Sequence, residues 1–357
     1  MMVPSESTHS SPLDLLVVKE LTVRFRTGNT LTRAVNGLDL RVGDGEIVAL
    51  VGESGSGKSA TALSILRLLP PRTATASGAI WFRGRELLGL KASEMREIRG
   101  SEIGMIFQEP MTSLNPAMTI GRQIAESLQL HLGMSKRQAR ERTVDLLGMV
   151  GIANARRRLE EHPHQLSGGM RQRVMIAIAL ACEPALLIAD EPTTALDVTI
   201  QAQVLEVMAS LAQTFGTAVI LITHNLGVVA RYSHHVNVMY GGRIVESARA
   251  ADLFQNPRHP YTRGLLRSIP SINRDRRHPL VPIEGSPPSL TELPVGCTFA
   301  PRCQYATEEC HASAPSLDAL DDSHSVACWH AAELWEENAH HHGRVSIPSV
   351  GAGSEPL

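Results

Sequence analysis

The sequence predicts an α/β architecture built on a parallel sheet, with a small cysteine-rich C-terminal segment, on three observations. A short apolar run, Glu46 to Val51, leads straight into a glycine-rich stretch and then into apolar residues at helical spacing through residue 69. The same alternation of helix and short apolar run returns between Leu166 and Thr223, the order that layers helices on a parallel sheet. Cys297, Cys303, Cys310 and Cys328, four of the five cysteines, then fall close together towards the end of the chain.

Element by element, residues 1–14 are rich in Ser and Pro and read as a flexible lead-in. Leu15 to Phe25 and Leu38 to Val42 read as strands, and Glu46 to Val51 as a strand buried on both faces. Residues 59–69 form a helix. Long helical patterns over 120–160, with few strand signals, place a helical subdomain at about residues 90–165. A helix from Met170 to Ala181, a buried strand from Ala185 to Ala189, a helix near 200–214 and a strand from Ala218 to Thr223 complete the alternation. Strand-like VNVMYGGRIVES follows, and then a run of prolines from Pro257 to Pro301 changes the composition. The expected division is a core domain over 15–255, an extension over 256–335 and a polar tail over 336–357. The triplet His340 to His342 reads as part of that solvated tail.

Charge and hydropathy restrict the function. Lys plus Arg number 34 against 36 Asp plus Glu, a net charge of -2 that gives no electrostatic case for a nucleic-acid partner. The longest apolar stretch, Val174 to Cys182, is too short to span a bilayer, and the first residues lack the basic region of a secretory leader. A cytosolic chain is expected. Cys182, inside that apolar stretch, reads as core packing.

Gly52-Glu53-Ser54-Gly55-Ser56-Gly57-Lys58-Ser59 fits the phosphate-loop pattern, with a strand before it and a helix after it. Its glycines let successive amides turn inward around phosphate oxygens at a helix N-terminus. Lys58 brings a positive charge to the outer phosphates, and the Ser59 hydroxyl completes a Mg²⁺ shell. Such a loop needs a second acidic partner, which the strand ending in Asp190-Glu191 supplies: Asp190 for the metal, Glu191 as general base for the attacking water. Between them, Leu166-Ser167-Gly168-Gly169-Met170 opens an apolar helix and reads as a second anion cradle, suited to a nucleotide held by another chain.

Taken together, these residues resemble the ATPase subunits of ABC transporters from about Leu15 to residue 260. The resemblance implies a P-loop NTPase of ABC type: a RecA-like core, an antiparallel β subdomain and a helical subdomain. It implies that Gly52, Ser54, Gly55, Ser56, Gly57, Lys58, Ser59 and Ala60 bind ATP, that Ser59, Gln108 and Asp190 hold Mg²⁺, and that Glu191, Gln108 and His224 act in hydrolysis. Ser167, Gly168 and Gly169 belong to an LSGGQ-like signature, Ala195-Leu196-Asp197 resembles the D-loop at a dimer interface, and Phe25 is the candidate to stack on adenine.

A finer resemblance, to the peptide and nickel importer branch, is carried by EPMTSLNP, PHQLSGGMRQRV, HPYTRGLL and the cysteine-bearing tail. It implies an ATPase that powers dipeptide or oligopeptide import through two transmembrane permease subunits. It further implies a second ATPase subunit, identical or homologous, cargo delivered by an extracytoplasmic substrate-binding protein, and a peripheral position on the cytoplasmic face of the inner membrane. Nickel or glutathione as cargo, or a soluble ABC ATPase acting on ribosomes or nucleic acid, are the alternatives.

The cysteine spacing Cys297-x5-Cys303-x6-Cys310-x17-Cys328 lacks the paired C-x2-C of zinc ribbons. Four thiolates suit Zn²⁺ or an iron–sulfur cluster equally on ligand softness; the resemblance to oligopeptide-permease ATPases implies a [4Fe-4S] cluster. Few core-forming side chains surround these cysteines, so metal ligation is expected to hold the segment folded.

Overall fold

The computed structural model describes residues 14–108, 113–193, 196–268 and 282–332. Most of the expected lead-in, part of the proline-rich boundary, Ala195, the His340 to His342 triplet and the polar tail lie outside the described residues.

Strands β1 (Asp14–Thr27) and β2 (Thr30–Gly43) form a long antiparallel hairpin turned at Gly28, whose φ of 60° suits a residue without Cβ. Strand β3 (Ile47–Val51) leaves this layer for a second sheet, while β4 (Ala74–Phe82) and β5 (Arg85–Glu86) complete a four-stranded sheet in the order β2-β1-β4-β5. The second sheet adds β6 (Ile103–Ile106), β7 (Leu186–Asp190), β8 (Ala218–Ile222) and β9 (His235–Tyr240), all parallel to β3. Strands β10 (Arg243–Arg249), β11 (Asp318–Asp321) and β12 (His324–Val326) extend one edge antiparallel, giving the order β11-β12-β10-β9-β3-β8-β7-β6.

Helices flank this sheet: α1 (Lys58–Ile65), α2 (Ala92–Ile98), α3 (Ile120–Leu132), α4 (Lys136–Met149), α5 (Gly168–Leu180), α6 (Val198–Phe215), α7 (Leu226–Tyr232), α8 (Ala250–Gln255), α9 (Pro260–Arg267) and α10 (Glu308–Ala312). Local sequence fixes their ends. Thr119 caps α3, Ser135 and Gln138 form a capping box on α4, and Gly133 and Gly216 end α3 and α6 in the left-handed conformation. Among the described residues no helix is long and apolar enough to cross a membrane.

Strand periodicity divides the interior into three cores. Val48 and Leu50 point between the two sheets, towards Leu16, Val18, Leu38, Ile80 and Phe82. Ala49 and Val51 point the other way, into a cluster with Val236, Tyr240, Tyr261 and Phe299. Leu187 and Ala189 join a third cluster with residues of α3 to α6, while Leu186 and Ile188 of the same strand join the first. Apolar side chains on both faces are what a parallel strand covered on two sides requires.

Two elements differ from the sequence reading. Within the stretch expected to be helical, Ile103–Ile106 forms β6 beside β7. The cysteine-bearing segment is built into the main body: β12 pairs with β10, and Phe299, Cys297 and Cys303 pack into the core of Tyr240 and Tyr261. The expectation of few core-forming side chains around the cysteines is therefore corrected, because β-pairing and aromatic burial hold the segment alongside any metal.

Candidate functional site

The phosphate loop lies between β3 and α1, at the carboxyl end of the parallel sheet, where open α/β folds place their ligands. Two of its glycines are required by the packing around it. At Gly52, with φ of 150°, a Cβ would lie 2.2 Å from the Met239 carbonyl of β9; at Gly57, with φ of 106°, it would lie 2.4 Å from the Ala34 carbonyl of β2. Both sheets thus press against the loop. The β9–β10 turn supports it as well, since Gly242 N–H donates to the Ser56 carbonyl at 3.2 Å. Gly57 caps α1 with no side-chain hydrogen bond, which leaves the first amides of the helix available to an anion.

Lys58 folds back over the loop. Its ammonium donates to the Gly52 and Glu53 carbonyls at 2.9 and 2.8 Å and to Ser56 Oγ at 3.3 Å. It is 6% exposed, and burial holds its pKa below the usual lysine range against the opposing carboxylates of Glu191, Asp190 and Glu53. The Ser59 hydroxyl donates to Asp190 Oδ1 at 3.1 Å, tying α1 to the end of β7. Burial raises the Asp190 pKa, the Ser59 hydrogen bond opposes the rise, and the Glu191 charge adds to it.

Glu191 follows β7 in the left-handed region at φ of 46°, an unusual conformation for a residue with a Cβ. Its amide donates to the Ile222 carbonyl at 2.9 Å, and this contact with β8 fixes the reversal. Its two carboxylate oxygens are approached from opposite elements: Gln108 Nε2 donates to Oε2 at 3.2 Å, and His224 Nδ1 lies 3.4 Å from Oε1. His224 is 66% exposed while Glu191 is 17% exposed, so the carboxylate is sheltered and its histidine partner faces outward. Residues separated by 131 positions (Ser59 and Asp190) and by 83 (Gln108 and Glu191) thus converge at the loop.

The other sequence-selected residues stand elsewhere. Ser167 is exposed and caps α5 by accepting from Met170 N–H at 3.4 Å. Gly168 and Gly169 pack under the start of α6, where an added Cβ would lie 3.4 Å from Leu196 and 2.6 Å from Ile200. At Gly169 close packing is a second reason for glycine. Asp197 is exposed and caps α6 through Ile200 N–H at 3.0 Å. Phe25, paired with Thr32 and Ala74, is half-buried against the inter-sheet core; Ser54 and Gly55 are exposed at the loop tip, and Ala60 is half-buried on α1.

Sequence reasoning missed two residues at the loop. Arg302 forms a two-pronged ion pair with Glu53, and the Tyr261 hydroxyl accepts from the Glu53 amide at 2.8 Å. Arg302 is 249 positions from its partner, and no local pattern could reveal the pairing.

Cys297, Cys303, Cys310 and Cys328 line one cavity with His259, Phe299, Trp329 and His330. Burial raises the pKa of Cys297 and Cys303 and pushes that of Cys328 up to about 12. Among the described residues no three His, Cys, Asp or Glu side chains are grouped to hold a metal ion.

Loop, acidic strand end and sheet order define a P-loop nucleotide-binding cassette. The family model described as ABC transporter matches residues 35–194, and that described as oligopeptide/dipeptide transporter, C-terminal region, matches residues 245–310. The chain is 53% identical over 321 residues to a probable peptide ABC transporter ATP-binding protein of Sinorhizobium fredii, covering 90% of this chain and 96% of that one. It is 50% identical over 319 residues to the oligopeptide transport ATP-binding protein OppD of Haemophilus influenzae, covering 89% and 98%. Among solved structures, a dimeric post-hydrolysis ATP-binding cassette, MJ0796 bound to ADP and Pi, is similar with a TM-score of 0.60 and 29% identity, covering 66% of this chain and 98% of that one. The chain belongs to the ATP-binding subunits of ABC transporters, in the family that carries the oligopeptide/dipeptide C-terminal region, and is an ATPase of that class.

Proposed function

We propose that this subunit powers the import of dipeptides or oligopeptides, and that each ATP is hydrolysed at the Glu191 carboxylate. The observation that carries the hydrolytic reading is the double contact on Glu191, from Gln108 on one oxygen and His224 on the other. A carboxylate oriented at both oxygens beside a phosphate loop is poised to accept a proton from water. The loop amides from Gly52 to Ala60 and the Lys58 ammonium hold the triphosphate, and Phe25 stacks on the base. Ser59, Asp190 and Gln108 offer the hard oxygen donors that Mg²⁺ takes, and the half-buried Ser59–Asp190 pair fits that ion. When bound, Mg²⁺ screens the charge of the outer phosphates.

Ser167, Gly168 and Gly169 make none of the contacts at the loop described above, and we assign them to the nucleotide of a second ATPase subunit. The exposed Ser167, the exposed Asp197 and the similarity to a dimeric cassette support that assignment. Engagement of two such subunits completes both sites, and reopening after hydrolysis moves two permease subunits docked at the helical segment. The chain then sits peripherally on the cytoplasmic face of the inner membrane, with cargo brought by an extracytoplasmic binding protein. Peptide cargo rests on the family of the C-terminal region and on relatives named for peptide transport.

The four thiols around one cavity fit a thiolate-held metal, and the likeness of this tail to those of oligopeptide-permease ATPases favours a [4Fe-4S] cluster over zinc. When bound, it would cross-link residues 297 to 328. Purification of the assembled complex without oxygen, with mass spectrometry of subunits and metals, tests all of this. Two permease proteins and about four irons per chain are expected, and recovery with ribosomes or with stoichiometric zinc would overturn the corresponding assignment.

A further inference from the structure

We propose that Arg302 and Tyr261, both in the C-terminal part of the chain, are positioning residues for the phosphate loop, and that they set its affinity for MgATP. The inference rests on the reading of Gly52 to Ser59 as the triphosphate site. Glu53 places a carboxylate inside a loop whose ligand is a polyanion, and an unpaired carboxylate there would repel the phosphates. Arg302 removes that conflict. Its Nη1 donates to Glu53 Oε2 at 2.8 Å and its Nη2 to Oε1 at 3.2 Å, the two-pronged geometry that a lysine cannot reproduce.

The guanidinium is itself fixed. Nη1 also donates to the Tyr240 hydroxyl at 3.2 Å, Nη2 to the Ile283 carbonyl at 3.2 Å and Nε to the Glu284 carbonyl at 2.8 Å. All five N–H donors are thereby used, and the side chain is 5% exposed. The ring of Tyr240 packs against that of Tyr261 at a tilt of 55° with centroids 4.5 Å apart, and the Tyr261 hydroxyl accepts from the Glu53 amide at 2.8 Å. The Glu53 carbonyl accepts from Lys58 at 2.8 Å. Every polar group of Glu53 is thus engaged, with side chain and amide held by the C-terminal part of the chain and the carbonyl by the lysine that meets the phosphates. The loop is preorganised from outside, so ATP does not have to order it on binding.

The test compares full-length chains by equilibrium MgATP binding and by the kcat and KM of hydrolysis. Arg302→Met should weaken MgATP binding at least tenfold and raise KM more than it lowers kcat, because the chemical groups at Glu191 are untouched. Adding Glu53→Gln to Arg302→Met should restore most of the affinity, since the unpaired carboxylate is then gone. A merely structural arginine would give no such rescue. Tyr261→Phe, which removes a single oxygen, should weaken binding about threefold and keeps the inference testable if Arg302→Met does not fold. Wild-type affinity in either folded variant, or a loss that Glu53→Gln leaves undiminished, would overturn the proposal. Failure of the wild-type chain to bind MgATP would instead overturn the reading of the loop.

Discussion

Glu191 is held in a backbone region that costs an ordinary side chain about 1–3 kcal/mol, and a contact with β8 sustains it. Its replacement by glutamine preserves shape and one acceptor oxygen for Gln108 but turns the other oxygen into an amide donor and removes the basic carboxylate. Glu191→Gln is therefore expected to bind MgATP as the wild type does and to lose about 10²–10⁴-fold in turnover; near-normal phosphate release in a steady-state assay would refute the base assignment. A second expectation concerns His259, which is 1% exposed, caps α9 through Tyr261 N–H and has its pKa lowered to about 4 by burial. The unfolded chain takes up this proton near pH 6.5, before the folded chain does, so the contribution is complete above pH 6.5 and is lost as pH falls towards 4. That loss amounts to about 3 kcal/mol. Thermal melts across this range should decline less for His259→Asn, which keeps a capping acceptor and does not titrate; parallel declines would exclude His259 as the source.

Between β3 and α1, the conformation of the loop is set by neighbouring strands as much as by its own sequence. Gly57→Ala would put a methyl 2.4 Å from the rigid Ala34 carbonyl at φ of 106°, so the loop has to move or the strand has to give. A cost of about 2 kcal/mol or more is expected, with MgATP binding reduced more than overall helicity; calorimetry alongside circular dichroism separates the two. The need for glycine here was legible in the motif, and so were β3, β7 and β8, short apolar runs that alternate with the apolar helices α5 and α6 in the order of a layered sheet. Strand β6 was not legible, because four buried apolar residues carry no period that distinguishes strand from helix. The hairpin of β1 and β2 was read short because polar outward residues such as Thr30, Thr32 and Arg33 lengthen it beyond its apolar stretch. At the site, Lys58, Ser59, Asp190 and Glu191 were legible as motif residues, whereas the hold on Glu53 depends on tertiary folding alone.

Across the molecule, three cores share one sheet, and the cysteine-bearing segment completes the third of them. Phe299 is 4% exposed, meets Tyr240 edge-on at 5.2 Å and lies 5.5 Å from Tyr261. At the edge of the sheet, His324 of β12 pairs with the fully buried Glu246 of β10 at 2.7 Å, and Glu246 also accepts from the His259 amide at 3.0 Å. Apolar packing and a buried polar network therefore hold the segment in addition to any metal. Phe299→Ala should cost about 3–5 kcal/mol, lowering the thermal midpoint of the whole chain, since Tyr240 stands at the end of β9 next to the Met239 carbonyl that packs on Gly52. Cys310→Ser leaves those rings in place and should cost less, even where it abolishes iron binding. The opposite ranking in matched melts, with Cys310→Ser the more damaging, would mean that ligation and not packing keeps residues 297 to 328 folded.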